Sequence, residues 1–471
     1  MSRIPSSETL QHLAGVVGER YALRDVAAMQ PYLHEWRGLW DGATPLVLRP
    51  GTTEEVSRIL AIADETGTAI ITQSGNTGLV GGQIPVPGKQ EVLMVLDRMT
   101  AIRDVDPADN TMTVEAGVIL KTVQDEADKV DRLFPLRIAS EGSCRIGGNL
   151  ATNAGGINVL AYGNARDLCL GIEVVLPGGR VWNGLKRLRK DNTGYDMRNL
   201  FIGSEGTLGV VTAAVLKLFP RPAHHVTAFV AIPSPQAAID LLALMQARSG
   251  GRVTAFELMP RRGIEFTMKH YAVREFFAAP AAWYVIAEMS GAPILDETMT
   301  EALGEAAEAG IVNDATIAQS EAQRQEIWYI REAIVESQRL EGGSLKHDVA
   351  VPLSHVPQLI EEGTAALLRY MPDIRPLPFG HLGDGNIHFN VNQPVGMDKQ
   401  AFLDRWREIA DCIYEVVLRL GGSVSAEHGI GILKADMMSR IKSPVELQMM
   451  RQLKGLFDPN NILNPGRVLP E

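Results

Sequence analysis

The stretch ASEGSCRIGGNLATNAGG, residues 139–156, carries five glycines among small and polar side chains. It is too long and too uniformly small for a simple turn, and a loop of this kind is typically functional. With no Cβ in the way, its backbone can pack against a flat polar ring system that has phosphates at one end. A second loop, SGNTGLVGG (74–82), follows the apolar run Ala69–Thr72 and adds Gly75, Gly78, Gly81 and Gly82, with Asn76 and Thr77 as small polar donors. Its N–H groups can approach a phosphate, although by itself it also reads as a tight turn between strands. A third stretch, FIGSEGTLGVVT (201–212), repeats the theme: Gly203, Gly206 and Gly209 permit close approach, and GVVT leads into a strand. Two long glycine loops in one region point to a large dinucleotide. Neither has the GxGxxG spacing and no regular βαβ series follows, which points to a flavin rather than NAD.

Outward from these loops, PLVLRPGTTEEVSRILAIADETGTAIITQSG (45–75) reads as strand, turn, helix and strand. Thr52 or Thr53 caps the helix, Glu54 and Glu55 favour its first turn, and Val56, Ile59, Leu60 and Ala63 recur at helical spacing. Residues 6–30 read as one short helix. Short strands with glycine turns then run to about Phe219, and FPRPAHH (219–225) is a boundary because its prolines disfavour regular structure. Beyond it, strands and longer helices recur in a way that suits an antiparallel sheet with helices on one face. The fold class is α+β. Three segments are expected: 1–220, a flavin-type domain; 221–424, a substrate or cap domain; and 425–471, a C-terminal segment returning to the first domain.

At 471 residues the chain exceeds what one core supports. A formal charge of −11, with LKRLRK (185–190) as the one short basic run, argues against nucleic acid as a partner. That run reads as a solvated face. Cys144, Cys169 and Cys412 are few and widely spaced, which excludes a disulfide framework and fits a reducing compartment. The N-terminal residues have no apolar core suited to a secretory signal, and no apolar run of about 18 residues occurs. A cytoplasmic protein is the expectation.

GHLGDGNIHFNV (380–391) carries a different chemistry. A two-residue turn centred on Asp384-Gly385 sets His381 opposite His388, with Cβ atoms about 5 Å apart. Asn390 points to the same face. Two imidazoles so placed can meet one metal ion, and SAEHGIG (425–431) offers a third ligand in Glu427. His381, His388 and Glu427 make a two-histidine, one-carboxylate set suited to zinc, manganese or iron. His428, pointing to the opposite side of an extended segment, is left as a base.

Together and in this order, SGNTGLVGG, EGSCRIGGNLATNAGG, NTGYD, GSEGTLGVVT, PFGHLGDGNIHFN, SAEHGIG and NPGRV make a sequence that resembles the FAD-linked D-2-hydroxyacid dehydrogenases, flavoproteins of the vanillyl-alcohol-oxidase (PCMH) type. The resemblance runs from about residue 40 to the end. It implies a two-subdomain PCMH-type FAD-binding domain and a cap domain with a helix-covered antiparallel sheet. It implies that Gly75, Asn76, Thr77, Gly78, Gly142, Gly147, Gly148, Asn149, Asn153, Gly155, Gly156, Gly206 and Val210 surround FAD. Some relatives bind flavin covalently through a histidine in the first loop; Asn76 stands there in this chain, so FAD is expected to be non-covalent.

The resemblance also assigns the three metal ligands. In IWYIREAIV (327–335) it assigns Arg331 to a substrate carboxylate. It turns Lys346 of SLKHDVAVP (344–352) into the site, whereas strand alternation alone leaves that lysine facing solvent or the site. Asn390 is implied as a further substrate contact. The implied reaction oxidises a D-2-hydroxyacid of the D-2-hydroxyglutarate, D-malate or D-lactate type by hydride transfer to flavin N5. Members acting on the hydroxyglutarate carry a threonine one turn after the arginine, where this chain has Val335, so the substrate stays open among these acids. The implied electron acceptor is an electron-transfer flavoprotein or a quinone, and a homodimer is compatible with the resemblance. The competing readings are a zinc-dependent hydrolase with a nucleotide-binding domain and a non-catalytic nucleotide-binding scaffold.

Overall fold

The computed structural model describes residues 4–470. They form two compact units: Met1–Gly155, Asn164–Arg221 and Glu427–Glu471 make the first, and Gly156–Gly163 with Pro222–Ala426 the second. The α+β class expected from the pattern is what the chain adopts.

The first unit holds two sheets. One has four strands in the order Ala22–Leu23, Val47–Leu48, Val92–Val95, Ile70–Gln73. Its three inner pairings run parallel except for the first, which is antiparallel. The helix Thr53–Thr66 supplies the crossover that a parallel pair needs. Thr52 is its cap, accepting from Glu55 N–H, and Val56, Ile59, Leu60 and Ala63 are fully buried beneath it. The second sheet is antiparallel, in the order Ile102–Asp106, Thr111–Glu115, Val210–Lys217, Cys169–Val175, Val181–Gly184. The single N-terminal helix expected over 6–30 is two helices, Ser7–Val17 and Val26–Leu33. The break falls at Gly18, whose φ of 79° ends the first helix as only glycine does readily.

The second unit is built on an eight-stranded antiparallel sheet. Its order is Asp314–Ile317, His224–Ile232, Trp283–Gly291, Val253–Pro260, Arg375–His381, Asn386–Asn392, Ser344–Leu345, and Asp348–Ala350 also pairs with Asn386–Asn392. The central strand Val253–Pro260 is buried along its whole length. Phe229, Tyr284, Trp328, Ile334 and Phe379 lie in the core that joins this sheet to the helix Glu321–Leu340. Ser320 caps that helix through Gln323 N–H. The strand expected over 344–352 is interrupted at Lys346 and His347.

The histidine hairpin differs from its expected register. Phe379, not His381, pairs with His388, because a 3-10 turn at Leu382–Asp384 followed by left-handed Gly385 (φ 78°) makes the connection longer than two residues. Asp384 still serves the turn, but by accepting from Asn386 N–H.

Candidate functional site

In the second unit the longer turn shifts His381 two residues beyond its expected partner, yet the two imidazoles still meet. Their ring centroids are 5.2 Å apart at 77°. What the sequence reading missed is how each ring is held. On the neighbouring strand Glu257 is the register partner of His381, and its Oε1 is 2.6 Å from His381 Nδ1. On the other side Asp348 is the register partner of His388, and its Oδ1 is 3.7 Å from His388 Nδ1. Both carboxylate side chains are fully buried. The Glu257 carboxylate, at hydrogen-bond distance from Nδ1, fixes the His381 tautomer that leaves Nε2 without a proton, as in histidines that bind metals.

Glu257 also receives Arg331. The guanidinium Nε donates to Oε2 at 2.7 Å, and its plane lies 4.7 Å over the Phe379 ring. Burial pushes the Glu257 pKa up, but the His381 imidazole and the Arg331 guanidinium outweigh it and bring the group down to about 2. Both Nη groups of Arg331 are left without a protein acceptor among the described residues, so an anion can take them in bidentate fashion. Val335, one turn on, packs against the core beside this site. Asn390 is buried and donates from Nδ2 to Gln338 Oε1 at 3.0 Å. Lys346 is half-buried in the interruption between its two short strands.

Past this sheet the chain continues through Ser423, which pairs with Ala350, and Ala426, whose N–H donates to Asp348 O at 3.4 Å. Glu427 and His428 follow directly. Asp348 and His388 thus offer a carboxylate and an imidazole to a metal ion from the second unit, and Glu427 and His428 open the last segment of the first. Two carboxylates and two imidazoles are a donor set that zinc or manganese accepts. Asp348 adds a carboxylate beside His388 that the expected set lacked, and His381, whose Nδ1 faces Glu257, offers its Nε2. Residues 426–428 are bent, with Gly429 at φ 80°, so the alternation of an extended strand does not apply to Glu427 and His428.

The 427–431 loop has its own anchor, which the sequence reading also missed. Within the first unit Glu205 accepts from Ile430 N–H at 2.7 Å and from Gly431 N–H at 2.8 Å. Burial pushes the Glu205 pKa up against those two donors and Lys434. The signals were present: Glu257 is a lone acid in the apolar strand VTAFELMP, Asp348 a lone acid in HDVAVP, and Glu205 the one charge in GSEGTLG.

The glycine loops lie in the first unit, with Gly156 alone in the second. The loop 74–82 leaves the end of the Ile70–Gln73 strand, and the backbone N–H groups of Gly75, Asn76, Thr77 and Gly78 meet no protein acceptor among the described residues. Consecutive bare N–H groups suit a phosphate. A Cβ on Gly75 would lie 2.5 Å from Ser143 O, so this loop packs on the 139–156 loop through backbone. Gly148 N–H donates to Ser74 Oγ, tying the same two loops. Gly142 is exposed with open space where its Cβ would stand, and Gly147 packs on Ala116. Gly206 has φ 70° and lies against Thr72 and Asn464, so no other residue fits there. The polar side chains are engaged by protein: Asn76 Nδ2 donates to His34 O, Asn149 Nδ2 to Cys144 Sγ, and Asn153 Oδ1 accepts from Arg166 N–H. Val210 is buried and pairs with Val175, and Gly155 and Gly156 are buried. The residues present thus suit a dinucleotide held mainly by backbone.

Comparison with known proteins gives a consistent result. Residues 44–184 match the family described as FAD binding domain, and residues 221–468 match FAD linked oxidases, C-terminal domain. A D-2-hydroxyglutarate dehydrogenase from Xanthomonas citri pv. viticola is 35% identical, over 94% of this chain and 93% of its own. The mitochondrial D-2-hydroxyglutarate dehydrogenase of Bos taurus is 36% identical, over 99% and 84%. A putative mitochondrial D-lactate dehydrogenase of Schizosaccharomyces pombe is 33% identical, over 98% and 90%. Among solved structures, p-cresol methylhydroxylase with substrate bound aligns at a TM-score of 0.77 over 98% of this chain and 96% of its own; at 16% identity that likeness speaks for the fold alone.

Proposed function

We infer the function of this chain from one premise: it belongs to the FAD-linked oxidase family, with the D-2-hydroxyglutarate dehydrogenases among its relatives. It is an FAD-linked oxidoreductase. The reading we put forward is the metal-assisted oxidation of a D-2-hydroxyacid, of the D-2-hydroxyglutarate, D-malate or D-lactate type, to the 2-oxoacid. The observation that carries it is the pair of histidines whose Nδ1 atoms each face a buried carboxylate directly across the sheet.

When bound, FAD would supply the hydride acceptor for C2, and a divalent ion such as zinc or manganese would lower the pKa of the substrate hydroxyl. The residues of this chain do the rest. His381, His388 and Glu427 would hold the ion, with Asp348 beside His388. Arg331 grips the C1 carboxylate through its Nη groups, and Lys346 and Asn390 take the remaining substrate oxygens. His428 receives the hydroxyl proton on a ring nitrogen, a task suited to a group that titrates near neutral pH. The N–H groups of Gly75, Asn76, Thr77 and Gly78 would hold FAD non-covalently, together with Gly142, Gly147, Gly148, Asn149, Asn153, Gly155, Gly156, Gly206 and Val210. No helix among the described residues is long and apolar enough to cross a membrane. In this reading electrons pass on to an electron-transfer flavoprotein or a quinone, and the protein is cytoplasmic.

The test is an anaerobic screen of D- and L-2-hydroxyacids against the purified yellow protein. Bleaching of the flavin by a D-acid and not by its L-enantiomer is the expected result. A protein whose flavin no 2-hydroxyacid bleaches would overturn the reading.

A further inference from the structure

The two groups that Glu257 joins belong to different tasks in the proposed reaction. By the proposed function His381 is assigned to the ion and Arg331 to the substrate carboxylate, and one carboxylate serves both, Oε1 to the imidazole at 2.6 Å and Oε2 to the guanidinium at 2.7 Å. All three side chains are buried, and Glu257 is fully so. Glu257 sits on a strand whose whole length is buried, so its rotamer is set by packing on both faces. The Phe379 ring lies beneath the guanidinium and also 5.4 Å from the His388 ring, so it fills the space between the clamp and the second histidine.

We propose that Glu257 is a positioning residue for both halves of the site: it holds His381 as the Nδ1–H tautomer with Nε2 presented to the ion, and it fixes the Arg331 guanidinium with both Nη groups presented to the substrate carboxylate. This rests on the metal-assisted reading above. The chemistry of the pair fixes the direction of each hydrogen bond. Arginine only donates, so the carboxylate accepts on that side; a carboxylate offers imidazole an acceptor, so Nδ1 carries the proton. Because the carboxylate is shared, ion binding and substrate binding are coupled through it. A change at Arg331, which is not a ligand, is then felt at the ion, and a change at His381 is felt by the substrate.

The substitution that reads this most directly is Glu257→Gln. An amide of the same shape turns an N–H toward one of its two neighbours. Facing His381, it forces the opposite tautomer and puts the proton on Nε2; facing Arg331, it sets donor against donor. Either way one function is lost while size is kept. The measurement is zinc and manganese affinity of the FAD-loaded protein, by titration after chelator dialysis, alongside the dissociation constant of D-2-hydroxyglutarate read from the flavin spectrum.

Expected for Glu257→Gln is a 10- to 100-fold loss of metal affinity, about the effect of removing a carboxylate behind a metal-bound histidine, with weaker hydroxyacid binding and unchanged FAD content. Arg331→Met is the second variant, usable even where Glu257→Gln does not fold: it is expected to weaken metal binding several-fold without touching the ion. Wild-type protein that binds metal, together with variants that bind it equally well, overturns the role of Glu257 alone. Wild-type protein that takes up neither ion removes the metal-assisted reading, and this proposal with it.

Discussion

Replacing Glu205 by Gln is expected to disable the loop that carries Glu427 and His428 without touching either residue. The carboxylate accepts two backbone N–H groups, from Ile430 at 2.7 Å and from Gly431 at 2.8 Å. A hydrogen bond to a charged acceptor contributes about 1.5–3 kcal/mol. The amide of glutamine keeps one acceptor and aims its own N–H at the second donor, so the preference for the ordered loop falls by about 2–3 kcal/mol. At about 1.36 kcal/mol per decade, that lowers the rate of flavin reduction roughly 30- to 150-fold.

The backbone around Glu205 is tied down elsewhere, through Ala151 O and Asn464 Nδ2, so the fold and the FAD content should survive. The assay is stopped-flow bleaching of the flavin by D-2-hydroxyglutarate under nitrogen, with bound metal measured on the same samples. Metal retention and reduction rate should fall together, since a ligand and the base share the loop. A Glu205→Gln protein with full FAD that bleaches within about threefold of wild type would refute the argument that these two hydrogen bonds position His428.

Three further outcomes follow from the structure. Arg331→Ala should raise KM for the hydroxyacid by about two decades or more, since it removes a bidentate cation, and should also lower thermal stability by leaving Glu257 buried with one partner fewer; unchanged kinetics on every acid in the screen would put Arg331 outside the pocket. Acid precipitation should release all of the flavin, because Asn76 replaces the histidine of covalent relatives; flavin left in the pellet would contradict this. Glu341 accepts from Lys269, His270 and Arg375, and although burial pushes its pKa up, these donors bring it down to about 2. A depressed carboxylate gives stability that is present above its unfolded value of 4.5 and is lost as pH falls through about 2. Urea midpoints of Glu341→Gln should therefore lie below wild type at pH 7 and converge with it toward pH 2; a gap of constant size would speak against the ion network.

Much of this architecture was legible in local patterns. Val56, Ile59, Leu60 and Ala63 announced their helix through spacing, and Thr52 its start, because these are properties of one segment. The three glycine stretches announced a dinucleotide for the same reason, through local composition, although only together. The hairpin register was not legible. Asp-Gly favours a two-residue turn, but Leu382 is fully buried and the chain closes through a 3-10 turn instead, so tertiary packing of one side chain decided the connection. The residues behind the histidines were hidden for a different reason. Glu257 is 124 positions from His381 and Asp348 is 40 from His388 in the chain, and only the strand order of the folded sheet makes them neighbours. His428 was read as the base by a rule for extended strands, and the bend at 426–428 withdraws that rule as its support.

The central claim is that an ion held by this constellation, and not the flavin alone, makes the hydroxyacid reactive. Its most direct test is anaerobic flavin bleaching by D-2-hydroxyglutarate on protein stripped of metal by a strong chelator, with FAD and metal content measured before and after. The account predicts that bleaching stops while FAD stays bound, and returns when zinc or manganese is restored. Bleaching at the original rate in protein shown by elemental analysis to be metal-free would contradict it.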